Sequence, residues 1–181
     1  MPGRLTPSQT IGPFFHAGLQ WQGGATLFAA ATPGRAIRIS GVVTDGDGQP
    51  VPDALLEFWQ ADPSGNFGAQ TEGSCAGFGR VMTDDNGRYE IQTRYPGAVP
   101  GADLKKQAPH ILVVVLARGL LHYLLTRVYF EGEETNAGDA VLASCGARGE
   151  TLLAKRSPGT DDAYAWNISL QGPKETVFFE C

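Results

Sequence analysis

Ala108-Pro109-His110-Ile111-Leu112-Val113-Val114-Val115-Leu116 is the stretch on which the fold turns. From His110 to Leu116 the run is apolar on both faces, as expected of a strand in the middle of a sandwich. Side chains alternate along a strand, so residues at i and i+2 project together. A His-x-His pair at its start would aim two imidazoles at one point, as a metal site needs. Here the second position is Leu112.

Outward from this run, short apolar segments alternate with turns. Residues 36–44 carry Ile37, Ile39 and Val43 on one face, and Asp45-Gly46-Asp47-Gly48 follows as a strong turn signal. Residues 54–60 make the next expected strand. Asp85-Asn86-Gly87 turns the chain into Arg88–Thr93, where polar and apolar positions alternate. Residues 121–130, 164–170 and 175–179 also read as strands, and only residues 138–145 suggest a short helix. Many short strands with frequent turns predict an all-β fold: a β-sandwich core of mixed sheets with an extended N-terminal arm and long loops.

The arm is residues 1–35, and the sandwich is residues 36–181. Residues 1–35 contain Pro2, Pro7, Pro13 and Pro33 and no sustained periodicity. Yet Ile11, Phe14, Phe15, Leu19, Trp21, Leu27 and Phe28 are too apolar for a solvated tail. An ordered arm lying across another surface is expected. Residues 96–109 form a second irregular stretch, long enough to be a functional loop.

The chain has 181 residues, enough for one domain with a real core, and its formal net charge is -5. No long basic stretch is present, which argues against nucleic acid as a partner. No run approaches the ~18 apolar residues of a membrane helix, and the N-terminus lacks the apolar core of a secretory signal. A cytoplasmic protein without a membrane partner is expected. Cys75, Cys145 and Cys181 are widely spaced, form no CxxC, and read as reduced thiols.

Common catalytic signatures, such as HExxH, GxSxG, a Walker loop or GxGxxG, are absent. Asp84-Asp85-Asn86-Gly87 fails the calcium-loop spacing and reads as a turn. A lone His110 on a buried strand is most simply a structural residue, since a metal needs further converging ligands. His16 and His122 have no partner at ligand spacing, and Tyr123 and Tyr129 share a strand face that suits the core. Arg118 follows the apolar run directly. Its planar fork of donors matches a carboxylate and is costly to bury unpaired, though a surface arginine at a strand exit reads as well. Thr6-Pro7-Ser8-Gln9-Thr10-Ile11-Gly12-Pro13-Phe14-Phe15 combines a restricted backbone with many hydrogen-bonding groups.

That decapeptide resembles the N-terminal signature of the intradiol ring-cleavage dioxygenases, in the form carried by the α-type subunit of the family's heteromeric members. The similarity continues through Phe58–Asp62, Gly79–Asp84, Ala108–Ile111, Ala117–Gly119, Thr126–Phe130 and Glu175–Phe179. The resemblance implies a ferric, non-haem enzyme that opens protocatechuate with O₂ to 3-carboxy-cis,cis-muconate. It also implies that two tyrosines and a His-x-His pair hold the iron (Fe3+). Phe67 and Val99 stand where the tyrosines belong, His110 matches the first histidine, and Leu112 replaces the second. Gln107 takes the place of an arginine near the iron. The resemblance therefore implies no metal on this chain, and a homologous catalytic β-subunit that carries it within a higher αβ oligomer. Thr10, Gly12 and Pro13 match arm residues that line the partner's substrate pocket. Arg118 matches an arginine that reaches that site from the α-type subunit, a catalytic and substrate-binding role.

Two other readings are open at this point. Residues 39–59 and 83–89 also resemble prealbumin-like adhesion and carboxypeptidase-associated modules, which would make the chain a non-enzymatic binding module. That pattern explains neither the arm nor Arg118. A stand-alone dioxygenase for catechol or hydroxyquinol is the other, and the missing ligands argue against it.

Overall fold

Alternation and turns produce strands at most of the places where the sequence puts them. The structure is a computed structural model that describes residues 18–68, 76–101 and 105–180. Its strands are β1 (Ala36–Thr44), β2 (Leu55–Gln60), β3 (Phe78–Met82), β4 (Arg88–Arg94), β5 (Val99–Pro100), β6 (Lys106–Gln107), β7 (His110–Leu116), β8 (Leu124–Phe130), β9 (Leu153–Arg156), β10 (Ala163–Ala165) and β11 (Ile168–Ser169). Asp45 and Asp84 build the two expected turns: each Oδ1 accepts backbone N–H groups two and four residues on.

The strands form the two layers of an all-β sandwich. One layer is β4–β1–β10, with β11 also on β1; the other is β3–β2–β7–β8. β9 pairs parallel with β8 and antiparallel with β10, and so links the layers. The sheets are mixed, as expected. Ile37, Ile39, Tyr89 and Ile91 of one layer meet Leu56, Phe58, Ile111, Val113, Val115, Val128 and Phe130 of the other in a single core.

Several expectations need correction. β7 is not buried equally on both faces: Ile111, Val113 and Val115 enter the core, while Leu112, Val114 and Leu116 are only partly covered. The expected strand 164–170 is two short pieces, because the chain leaves one register at Trp166 and Asn167. Residues 175–179 form no strand; Phe179 makes only an isolated bridge to Leu125. The helix is confirmed as α1 (Ala140–Ser144), flanked by 3-10 turns at Glu134–Gly138 and Gly146–Leu152. Tyr129 is core, but Tyr123 precedes β8 and is exposed.

The arm divides. Residues 1–17 lie outside the described residues. Downstream, Leu27 and Phe28 are buried in this chain's own core, and Thr26 bridges Gln92 of β4. The segment up to residue 35 thus belongs partly to the sandwich. On the outer face of β3–β2, Trp21 stacks on Phe78, Phe78 packs against Trp59, and Trp59 stacks on Phe67. Arg80 lies 5.0 Å from the Trp21 ring and is paired with Glu57. Among the described residues, no helix is long and apolar enough to cross a membrane.

Candidate functional site

The residues singled out around β7 collect at its two ends. Because Ile111, Val113 and Val115 face the core, His110 and Leu112 face outward together. Strand register then decides their neighbours. Tyr129 of β8 lies opposite His110, and Arg127 lies opposite Leu112. Trp59 of β2 faces Leu112 from the other side. Val99 opposes Gln107 in the β5–β6 pair, and Gln107 Oε1 accepts a hydrogen bond from Arg127 Nη1 at 2.7 Å.

Two loops carry Phe67 and Val99 to this corner. Asp62 Oδ1 accepts from Ser64 and Asn66 N–H and so closes the loop after β2. Gly65 then approaches the 97–98 backbone so closely that a Cβ on it would lie 2.3 Å from the Ala98 carbonyl oxygen. Only glycine admits that contact. Phe67 is half exposed on Trp59, while Val99 is buried.

Asp139 anchors the corner from behind. It is fully buried, and its carboxylate accepts from the N–H groups of Ala108 (2.8 Å), Val141 and Leu142 (both 2.9 Å). It therefore caps α1 and fixes where β7 begins. Tyr129 Oη donates to Asp139 Oδ1 at 3.3 Å and lies 3.3 Å from Arg127 Nη1. Burial pushes the Tyr129 phenol up to about 12, although Arg127 pulls the other way. His110 Nδ1 lies 2.7 Å from the Ala108 carbonyl oxygen. A carbonyl only accepts, so Nδ1 carries the proton. Burial, chiefly, holds the imidazole below its ordinary pKa, and the Arg127 charge adds to this.

At the other end of β7, Arg118 occupies the tip of the turn Ala117–Leu120, which Gly119 permits with φ 85°. Its side chain is 57% exposed, and Nε lies 2.8 Å from Asp53 Oδ2. Asp53 itself has φ 60°, and its Oδ1 is buried without a hydrogen-bond partner among the described residues. Arg118 thus neutralises a carboxylate that is only half solvated.

The structure brings Val99, Gln107, His110 and Leu112 together, with Phe67 adjoining through Trp59. It sets Arg118 apart, and Thr10, Gly12 and Pro13 lie outside the described residues. Sequence reasoning missed Arg127 and Asp139. A charged residue inside Leu124–Phe130 and an acid just before the short helix were their visible signals, but only register and packing connect them to His110.

Comparison with known proteins fits this arrangement. A family model described as dioxygenase matches residues 11–172. The protocatechuate 3,4-dioxygenase alpha chain of Burkholderia cepacia is 43% identical, covering 98% of each chain. The chain belongs to the intradiol ring-cleavage dioxygenase family. A protocatechuate 3,4-dioxygenase beta chain, also of Burkholderia cepacia, is similar at 30% identity over 79% of this chain and 67% of its own length. Among solved structures, the dioxygenase domain of a carbohydrate-binding fusion protein from Streptomyces sp. SirexAA-E superposes with a TM-score of 0.65. It is 28% identical and covers 92% of this chain and 99% of that one.

An intradiol dioxygenase fold raises the question of ferric iron, and this corner does not fit it. Phe67, Val99 and Leu112 have no donor atom. His110 supplies one neutral nitrogen, and a single imidazole cannot hold iron against hydrolysis and competing ligands. None of these three side chains offers an anionic oxygen that could stabilise a ferric ion.

Proposed function

We propose that this chain is the α-type subunit of a heteromeric protocatechuate 3,4-dioxygenase. In this reading it helps form the site in which a homologous β-subunit, bearing the ferric ion, cleaves protocatechuate with O₂ to 3-carboxy-cis,cis-muconate. The supporting observation is a likeness to an alpha chain over 98% of both chains, and the reading takes Phe67, Val99 and Leu112, whose side chains offer no metal donor, as the family's ligand positions. The separate similarity to a beta chain supports an αβ assembly of related subunits.

This chain's contribution is to bind and orient. Thr10, Gly12 and Pro13 supply a stiff, polar segment that lines the partner's pocket. Arg118 contributes positive charge near it. Protocatechuate carries a carboxylate and the product carries three. A guanidinium beside the pocket favours entry of the anion and lowers the cost of negative charge building on the opening ring.

Separate and joint expression of the two chains tests the reading. The expected result is O₂ uptake with protocatechuate, and a reddish ferric chromophore, only when both chains are present. Stoichiometric iron with a tyrosinate charge-transfer band, or ring cleavage, in this chain alone would overturn it.

A further inference from the structure

We propose that Asp53 is a positioning residue: it holds Arg118 by Nε and leaves the rest of the guanidinium as a directed set of donors for the anionic substrate. The inference rests on the reading of Arg118 as a residue that reaches the partner's pocket. It goes beyond that reading by naming what fixes the arginine, and by assigning its effect to direction rather than to net charge.

Register brings the two residues together. β2 and β7 run antiparallel with Leu55 opposite Leu116. Carried two residues further, the same register sets Asp53 opposite Arg118, just beyond the ladder, where opposite charges pair across strands. Arg118 Nε lies 2.8 Å from Asp53 Oδ2. Asp53 Oδ1 has no hydrogen-bond partner among the described residues, so this is not the two-pronged pair in which both carboxylate oxygens meet the guanidinium. One oxygen leaves most of the five N–H donors of Arg118 unengaged by Asp53.

Asp53 is itself held. The Oγ1 of buried Thr83 accepts from Ala54 N–H at 2.9 Å and donates to the Val51 carbonyl at 2.8 Å. Thr83 N–H donates in turn to the Ala54 carbonyl at 2.9 Å. The backbone is therefore pinned on both sides of Asp53. Between these bonds Asp53 takes φ 60°, the one non-glycine residue with positive φ among the described residues. A left-handed backbone and an unsatisfied carboxylate oxygen both cost stability, and such features collect at functional sites.

The two ways for Arg118 to act predict opposite signs. Asp53 offsets part of the guanidinium's charge. If charge alone drew the anion in, removing Asp53 would raise kcat/KM; if direction governs, removing Asp53 lowers it. The test uses the assembled two-chain enzyme with protocatechuate. Glycine takes φ 60° without strain, so Asp53→Gly removes the carboxylate and keeps the backbone path. Asparagine also tolerates this region, so Asp53→Asn removes the charge and keeps an oxygen for Nε.

The expected result is a fall in kcat/KM of at least about threefold in Asp53→Gly and a smaller fall in Asp53→Asn, with neither change adding to Arg118→Leu. A fall of the same size in the Arg118→Leu background would make Asp53 a structural residue and overturn the proposal. Unchanged or raised kcat/KM in Asp53→Gly, with Arg118→Leu still impaired, would overturn it and leave the subunit reading standing. Full kcat/KM in Arg118→Leu would overturn the role of Arg118 and this proposal together. Should Asp53→Gly fail to assemble, Asp53→Asn decides: a fall that vanishes with Arg118→Leu supports the proposal, and a rise or no change overturns it.

Discussion

The two ends of β7 treat their polar groups in opposite ways. At His110 the chain closes over its own charges: Asp139, Tyr129, Arg127 and Gln107 satisfy one another behind a second small core of Ala108, Tyr129 and Leu152. At Arg118 the guanidinium stands at a turn tip, mostly solvated and held by one carboxylate. A polar group that satisfies itself within its own chain has become structure. One left at a turn with donors to spare remains available to something outside. Strand position alone does not separate the two cases, since both lie within nine residues along the chain. Burial and partner number do.

Breaking the closed end should cost the most. Asp139→Ala removes a helix cap and leaves the Ala108 N–H unpaired in the interior, so the chain should lose about 2–4 kcal/mol of stability by urea unfolding. A loss within experimental error would mean that the closed end is not closed by Asp139.

The open end should respond in activity instead. Arg118→Leu should lower kcat/KM of the assembled enzyme by about 1–3 kcal/mol of transition-state stabilisation, with lysine rescuing only partly. Stability should change by no more than about 1 kcal/mol, the scale of an exposed ion pair. Adding Asp53→Asn removes the carboxylate that the leucine variant leaves unpaired. If that second change restores kcat/KM, the defect came from Asp53 and Arg118 has no role at the substrate.

The smallest effect sharpens the contrast through pH. Burial keeps the His110 pKa below its ordinary 6.5, so the folded chain takes up this proton less readily than the unfolded chain. Stability should therefore decline as pH falls from 6.5 toward the folded pKa, with no contribution from this group above that window. His110→Phe should flatten that part of the profile in urea midpoints measured against the unaltered chain. An unchanged slope would place the imidazole in contact with solvent.

Much of this was legible in the sequence, and the limits have physical causes. β1 was readable to its bounds because Ile37 and Ile39 alternate into the core and Asp45 ends the strand with its own side-chain turn. That Phe67, Val99 and Leu112 offer no side-chain metal donor was readable because residue type alone decides it. Arg127 was not, because its relation to Leu112 is set by which strand lies beside β7 and in which register. Residues 175–179 are rich in β-branched and aromatic residues like a strand, but they are held by separate bonds from Thr176 to Ser169 and from Phe179 to Leu125 rather than by a ladder. Leu27 and Phe28 were apolar for a reason internal to the chain: they complete its own core.

The outer aromatic row gives the molecule an uneven optical signature. Of its three tryptophans, Trp21 and Trp59 lie on that row, 45% and 37% exposed, whereas Trp166 is buried with its indole N–H donated to the Thr151 carbonyl. Emission from the separate chain is accordingly weighted toward water-exposed, red-shifted indoles that a soluble quencher can reach. A subunit that settles over the Trp21–Phe67 row would move two emitters at once to the blue and out of the quencher's reach. Trp166, unchanged, would serve as the internal reference.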